Sequence, residues 1–374
     1  MRYGSRTWVE VDLDRIAHNY LRAMAALGEE ARAFAVVKSN AYGHGALAVA
    51  KRLSELGVYG FAVANIDEAV ALRQGGITEE ILILGYTPPE LIGQTRELRL
   101  TQTLLCAEYA ESLALTGGSP YKCHFAVDTG MRRIGLDARD TDGCAAVLSK
   151  YKSILNVTGI FTHLCVADGA GEDDLSFTKL QLERFESVRR IACGIGIHEA
   201  HCLNSAGILY HAMDTNSDMR RLVRPGIILY GIGPRSGVAL PQGILPALSW
   251  KTVVAMVKRV GRGESVGYGR SFTAARDMML ATLPVGYADG YPRLLSGRSH
   301  VIIRGKYAPV VGRICMNQIT VDVSGIQGVS PEDEVTLIGE CDGRGVAAEQ
   351  LAQLSDTISY EILTGIASDI PRIY

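Results

Sequence analysis

Lys38 is the residue of this sequence best placed for covalent chemistry. It follows Ala33-Phe34-Ala35-Val36-Val37, an apolar, partly β-branched run that reads as a buried strand. Ser39-Asn40-Ala41-Tyr42 and the glycines Gly43 and Gly45 come next, and a helical pattern over residues 46–53 begins behind them. An ammonium at a buried strand end is costly unless it is paired or used. Desolvation lowers a lysine pKa, and the neutral amine forms a Schiff base with a carbonyl, chemistry that points first to pyridoxal phosphate. The bland account is a stem lying along the strand with its head in water. From this lysine alone the two readings stand level.

Further turns carry groups suited to anions. Val127-Asp128-Thr129-Gly130-Met131-Arg132-Arg133 runs from a strand into paired guanidiniums, which suit a carboxylate or phenolate better than a surface salt bridge. His163 ends the run Val157–His163; a lone histidine is more often structural than functional. Asn204-Ser205-Ala206-Gly207 opens a helix, where a hydroxyl serves an anion or simply caps. Arg224-Pro225-Gly226-Ile227 offers the amides of Gly226 and Ile227 to a phosphate. Tyr268 stands between glycines, which allow close backbone approach, although tyrosines in β structure usually serve packing.

The elements that must position these groups alternate. Strand-like runs are predicted at Ala33–Lys38, Gly60–Val63, Ile81–Leu84, Thr101–Leu104, Cys123–Val127, Val157–His163, Ala200–Leu203 and Gly226–Tyr230, with helical patterns between them. Such alternation argues α/β with a parallel sheet, and eight strands favour a closed (β/α)8 barrel over an open doubly wound sheet. Ahead of them, residues 7–12 alternate like a strand, and Asp12 can cap the amphipathic helix that follows. A Gly/Pro-rich linker follows residue 233, and beyond it the pattern is mainly β: Leu248–Val260, Met278–Pro284, His300–Ile303, Ala308–Cys315, Ile319–Val323 and Glu334–Ile338. The predicted domains are a barrel over 1–238 and a β domain over 239–374.

Composition excludes several partners. At 374 residues, 47% hydrophobic and 21% charged, the chain suits a large-cored globular protein. A net charge of -2 gives no electrostatic case for nucleic acid or an anionic membrane. Neither a transmembrane run nor a signal-peptide core stands out, so a cytoplasmic protein is expected. The cysteines show no ligand spacing, which predicts reduced thiols and no metal.

Val37-Lys38-Ser39-Asn40-Ala41-Tyr42-Gly43-His44-Gly45 resembles the cofactor-lysine signature of the alanine racemase family, fold-type III pyridoxal-phosphate enzymes with an N-terminal (β/α)8 barrel. The likeness extends from Trp8 to Tyr374 through Ser265-Val266-Gly267-Tyr268-Gly269-Arg270, Pro284–Tyr291, Val311–Gln318 and Ser359–Leu363. It implies an isomerase that interconverts L- and D-alanine, supplying D-alanine for peptidoglycan, as a homodimer with shared active sites. Lys38 and Tyr268 are implied as the two bases. Tyr42, Ser205, Gly226, Ile227 and Tyr360 are implied at the phosphate, His163 against the cofactor ring and Arg224 at the pyridine nitrogen. Arg133, the Met316 amide and Tyr287 are implied at the substrate. An arginine cannot take the nitrogen's proton, so the ring stays a weaker electron sink and proton exchange is favoured over transamination and decarboxylation. The chain departs from the family pattern at Arg132, where the segment usually reads MGRxG, at Ala126, often a carbamylated lysine, and at Asn317, more often Asp. A serine or broad-specificity racemase and a non-catalytic pyridoxal-phosphate-binding barrel are the alternative expectations.

Overall fold

A computed structural model of the chain describes residues 6–116, 120–235, 238, 240 and 243–374. Its chain divides into two compact units, one of residues 16–41 and 46–244, the other of residues 6–15, 42–45 and 245–374. The strand Thr7–Val11, counted above with residues 1–238, therefore packs in the second unit.

Parallel strands build the first unit. In sheet order they are Leu222–Val223, Arg32–Val36, Gly60–Val63, Glu80–Ile83, Leu100–Leu104, Lys122–Asp128, Val157–Phe161 and Glu199–His201. Their apolar runs are continuous because both faces are covered: Phe34, Phe61, Ile81, Leu82 and Phe125 are all buried. Intervening helices such as Ala46–Ser54, Ile66–Gln74 and Glu172–Gly194 supply the outer layer. The Arg224 amide donates to the Leu203 carbonyl at 2.9 Å, drawing the sheet's two ends together into a nearly closed barrel.

One predicted strand is corrected. Gly226–Tyr230 is a glycine followed by a 3-10 turn, Ile227–Tyr230, and the eighth strand is the short Leu222–Val223. Pro225 still pairs through its carbonyl, which accepts from the Val36 amide at 2.9 Å, but it has no N–H to donate, and the chain leaves the sheet at Gly226. The strand before Lys38 likewise ends at Val36. Of the predicted linker, residues 236, 237, 239, 241 and 242 lie outside the described residues.

The second unit is mainly β. Its largest sheet runs Lys306–Pro309, His300–Ile303, Glu334–Cys341, Leu248–Val253, Thr7–Val11 and Arg372–Ile373, with Arg344–Val346 added to Glu334–Cys341. Leu248–Val260, expected as one strand, is two: Leu248–Val253 belongs to this sheet and Met256–Val260 to a separate one with Met278–Leu283 and Ile319–Asp322. Trp250 and Tyr291, both fully buried, anchor the core with ring centroids 5.9 Å apart. The Trp250 indole donates to Thr7 Oγ1 at 2.9 Å, tying the N-terminal strand in place. Asp12 caps its helix as expected, accepting from the Arg15 amide at 2.9 Å.

Candidate active site

Lys38 emerges where strand Arg32–Val36 ends, at the C-terminal ends of the barrel strands, where barrel enzymes place their chemistry. The chain then turns with the wrong hand for L-residues: Ser39, Asn40, Ala41 and Tyr42 have φ of 53°, 54°, 54° and 52°. Only asparagine among them visits this region readily, so the surroundings must enforce the turn. Glu68 does much of this, accepting from the Ser39 amide at 2.7 Å and the Ala64 amide at 2.8 Å. Asn40 Oδ1 accepts from the Ala46 amide at 2.9 Å, and the Ala41 amide donates to Val37 at 2.8 Å. Glu68 was not singled out in the sequence, although Asn65-Ile66-Asp67-Glu68 is a helix-start pattern in which Asn65 caps and Glu68 stands three residues on.

The Lys38 amine is held below its ordinary pKa, first by burial and then by the Arg133 charge, with Glu68 opposing. Arg133 is exposed and forms no ion pair among the described residues. It lines a small recess together with Ala126, Phe161, Thr162 and His163. The His163 imidazole is lowered to about 3 by burial, then by Arg224, Arg133 and Lys38, and so is a neutral, flat ring at neutral pH.

Arg224 is buried beneath these groups. Its guanidinium donates to the Thr162 carbonyl at 2.6 Å, to the His201 carbonyl at 2.8 Å and to His201 Nδ1, and it lies 5.2 Å over the Phe161 ring. Burial lowers its pKa to about 10, which still leaves it a cation. Ser205 opens the short helix Ser205–Tyr210, capped by Asn204. Its hydroxyl oxygen accepts from the amides of Gly226 at 2.9 Å and Ile228 at 3.3 Å, so hydroxyl and turn amides converge. A reactive amine, fixed cations and clustered amide donors match the aldehyde, carboxylate and phosphate of a pyridoxal-phosphate reaction, and the barrel residues fit that cofactor.

The other predicted residues lie in the second unit. Tyr42 packs its ring 5.9 Å from Tyr360, and burial raises its phenol pKa. Tyr268 begins the turn Tyr268–Arg270 between strands Ser265–Val266 and Phe272–Thr273, with its side chain 69% exposed. Gly267 at φ 75° passes close to Gly312 and Arg313, where a Cβ would meet the Arg313 amide at 3.2 Å. Tyr287 and Met316 are brought together: the Tyr287 amide donates to Cys315 and the Ala288 amide to Met316, at 3.1 and 2.9 Å.

The family description "Alanine racemase, N-terminal domain" matches residues 11–234, and "Alanine racemase, C-terminal domain" matches residues 247–374. The chain belongs to the alanine racemase family. An alanine racemase of Symbiobacterium thermophilum is 43% identical over 373 residues, 98% of this chain and 97% of that protein. The Bacillus anthracis alanine racemase structure with bound L-Ala-P superposes with a TM-score of 0.90 at 34% identity, covering 100% of this chain and 96% of that one. The Bartonella henselae alanine racemase structure, with covalently bound pyridoxal phosphate, gives 0.84 at 29% identity, covering 99% of each chain.

Geometry accounts for one departure from the alanine racemase pattern. Arg132 has φ 57°, a region that favours glycine, which is why glycine suits this position. Here the Arg132 amide donates to Asp128 Oδ1 at 3.0 Å, while its guanidinium reaches Asp128 at 3.4 Å and Asp137 at 3.5 Å. Arg132 is thus committed to carboxylates, whereas Arg133 is not. Ala126 is buried and only helps to line the recess. All eight cysteines are free, and the described residues contain neither a metal-ligand cluster nor a helix long and apolar enough to cross a membrane.

Proposed function

We propose that this chain interconverts L-alanine and D-alanine with pyridoxal phosphate held on Lys38, as a cytoplasmic homodimer supplying D-alanine for peptidoglycan. The observation that carries the reading is the Lys38 amine, depressed by burial and by Arg133 at the mouth of a barrel. Matches to both domains along the chain support it against a non-catalytic barrel, which has no need of the second domain.

When bound, the cofactor withdraws electrons from the substrate Cα and makes its proton labile. Ser205, the Gly226 and Ile227 amides, Tyr42 and Tyr360 would hold the phosphate, and His163 would lie against the ring. Arg224 would donate to the pyridine nitrogen without protonating it, which leaves proton exchange favoured over side reactions. Arg133, the Met316 amide and Tyr287 would hold the substrate carboxylate and orient Cα.

Racemisation needs a proton donor and acceptor on each face, since a single base returns the proton to the face it left. Lys38 serves the D face and Tyr268 the L face. In the dimer, Tyr268 of the partner subunit completes each barrel site. The exposure of Tyr268, Met316 and Tyr287, at 69%, 56% and 42%, fits a surface that is covered on assembly. Chiral analysis of purified protein incubated with L-alanine and, separately, L-serine tests the reading. D-alanine should accumulate to equimolar mixture, faster than D-serine; absence of D-alanine, or faster serine turnover, overturns it.

A further inference from the structure

Barrel interiors are ordinarily filled by branched apolar side chains. Beneath Arg224 this barrel instead holds two buried histidines, His201 from strand Glu199–His201 and His124 from strand Lys122–Asp128. Arg224 Nη1 contacts His201 Nδ1. His201 Nε2 lies 2.9 Å from His124 Nδ1, and His124 Nε2 lies 2.9 Å from Glu199 Oε2. The Tyr59 hydroxyl donates to the other Glu199 oxygen at 2.8 Å. Glu199 begins its strand, at the opposite end of the barrel from Lys38.

Elementary chemistry fixes the proton in every link. A guanidinium only donates, so His201 Nδ1 accepts. A neutral imidazole carries one proton, so His201 Nε2–H donates to His124 Nδ1, and His124 Nε2–H donates to the carboxylate. A second proton on either ring would set N–H against N–H. Burial, reinforced by Arg224, already holds the His201 pKa well below its ordinary value. Burial would raise the Glu199 pKa, but its bonds from His124 and Tyr59 bring it below the usual range, so the terminus is an anion.

We propose that Glu199, acting through His124 and His201, is a positioning residue for Arg224: three one-way hydrogen bonds hold the guanidinium and return negative charge toward it from the far end of the barrel. This rests on the proposed role of Arg224 at the pyridine nitrogen. Its consequence is that the electron demand of the site is set partly by a carboxylate that touches neither substrate nor cofactor.

The test has two arms. On the apoprotein, ¹⁵N NMR of the ring nitrogens should show His124 and His201 neutral and protonated at Nε2; protonation of His201 at Nδ1 overturns the file. On the cofactor-loaded protein, Glu199→Gln keeps the shape and removes the charge. Its visible absorption band should shift, and kcat for alanine should fall about tenfold with KM within about twofold, by analogy with loss of the outer hydrogen-bond partner of a metal-bound histidine. An unchanged band and kcat with only lower thermal stability would leave a structural role and refute the proposal. Tyr59→Phe takes one bond from the same carboxylate and should shift the band less in the same direction; if Glu199→Gln does not fold, an unmoved band in Tyr59→Phe refutes the proposal instead. A parent protein that takes up no pyridoxal phosphate would overturn the role together with the functional reading, and the apoprotein spectra distinguish that failure from a failure of the file.

Discussion

Replacing Ser39 by glycine should not destabilise this protein, although glycine in a helical turn normally does. Ser39 has φ 53° and ψ 49° in a left-handed turn, its side chain is exposed, and its tertiary bond to Glu68 is made by the backbone amide. The substitution therefore removes no buried surface and keeps that bond. An L-residue pays roughly 1–2 kcal/mol in this conformation, which glycine avoids. Glycine's greater freedom in the unfolded chain offsets about 0.5–1 kcal/mol of that. The expected net lies between no change and a gain of about 1.5 kcal/mol. Lys51→Gly, at an exposed position of the right-handed helix Ala46–Ser54, should instead cost about 1 kcal/mol. Urea unfolding of the two variants and the parent, compared by midpoint at a shared m value, reads the difference. Ser39→Val should fall below the parent, because a β-branched side chain is strongly disfavoured at positive φ. If Ser39→Gly loses as much as Lys51→Gly, the left-handed turn is not the solution conformation and the account of how Lys38 is aimed fails.

Borohydride treatment of the yellow protein should fix pyridoxal phosphate to the peptide containing Lys38, read by mass spectrometry; attachment to another lysine would remove the basis of the site. Tyr268→Phe should fold and bind cofactor yet lose nearly all racemisation in both directions. By deuterium incorporation it should still exchange the α-proton of D-alanine, while exchange from L-alanine falls much further; equal washout from both would refute the assignment of faces. Lys38→Ala and Tyr268→Ala chains, each inactive, should regain part of the activity when mixed, and no recovery despite demonstrated subunit exchange would place each site within one chain.

Alternation of strand and helix made the barrel legible, because strands buried on both faces are continuous apolar runs. Seven of the eight expected strands are found, with ends displaced by a few residues. The eighth failed where Gly226–Tyr230 is apolar enough for a strand but turns at Gly226 into a 3-10 segment, which local hydropathy does not signal. The break within Leu248–Val260 left no sign in composition, since Val254 and Ala255 are as apolar as the strands they separate. Lys38 stood out as a candidate through its neighbours in sequence, Tyr268 only through family resemblance. The left-handed turn was not legible, because Ser39, Ala41 and Tyr42 are poor residues for positive φ and what enforces it includes Glu68, from another helix. His124, His201 and Glu199 were missed for a related reason: each looks like an ordinary strand residue until the barrel brings them into one file.

The charge arrangement suits the proposed site, where a reactive lysine and a cofactor ring would sit without a strong acid beside them. Lys38, Arg133 and Arg224 all depress the neighbouring His163, and Arg133 also depresses Lys38 and Arg224. Asp128 and Asp137, which could have neutralised the loop, are engaged by Arg132 and, for Asp137, more closely by Arg139 at 2.6 Å. Glu68 alone opposes the depression of Lys38, and its oxygens are already taken by the Ser39 and Ala64 amides. The barrel mouth therefore keeps an excess of positive charge that favours a phosphate and a carboxylate. It also favours the neutral amine of Lys38, the form that can attack an aldehyde or accept a proton. Arg224 stays cationic because a guanidinium near a pKa of 10 remains protonated at neutral pH. In the proposed site it would donate to a ring nitrogen without protonating it, which would favour exchange of the Cα proton over other reactions.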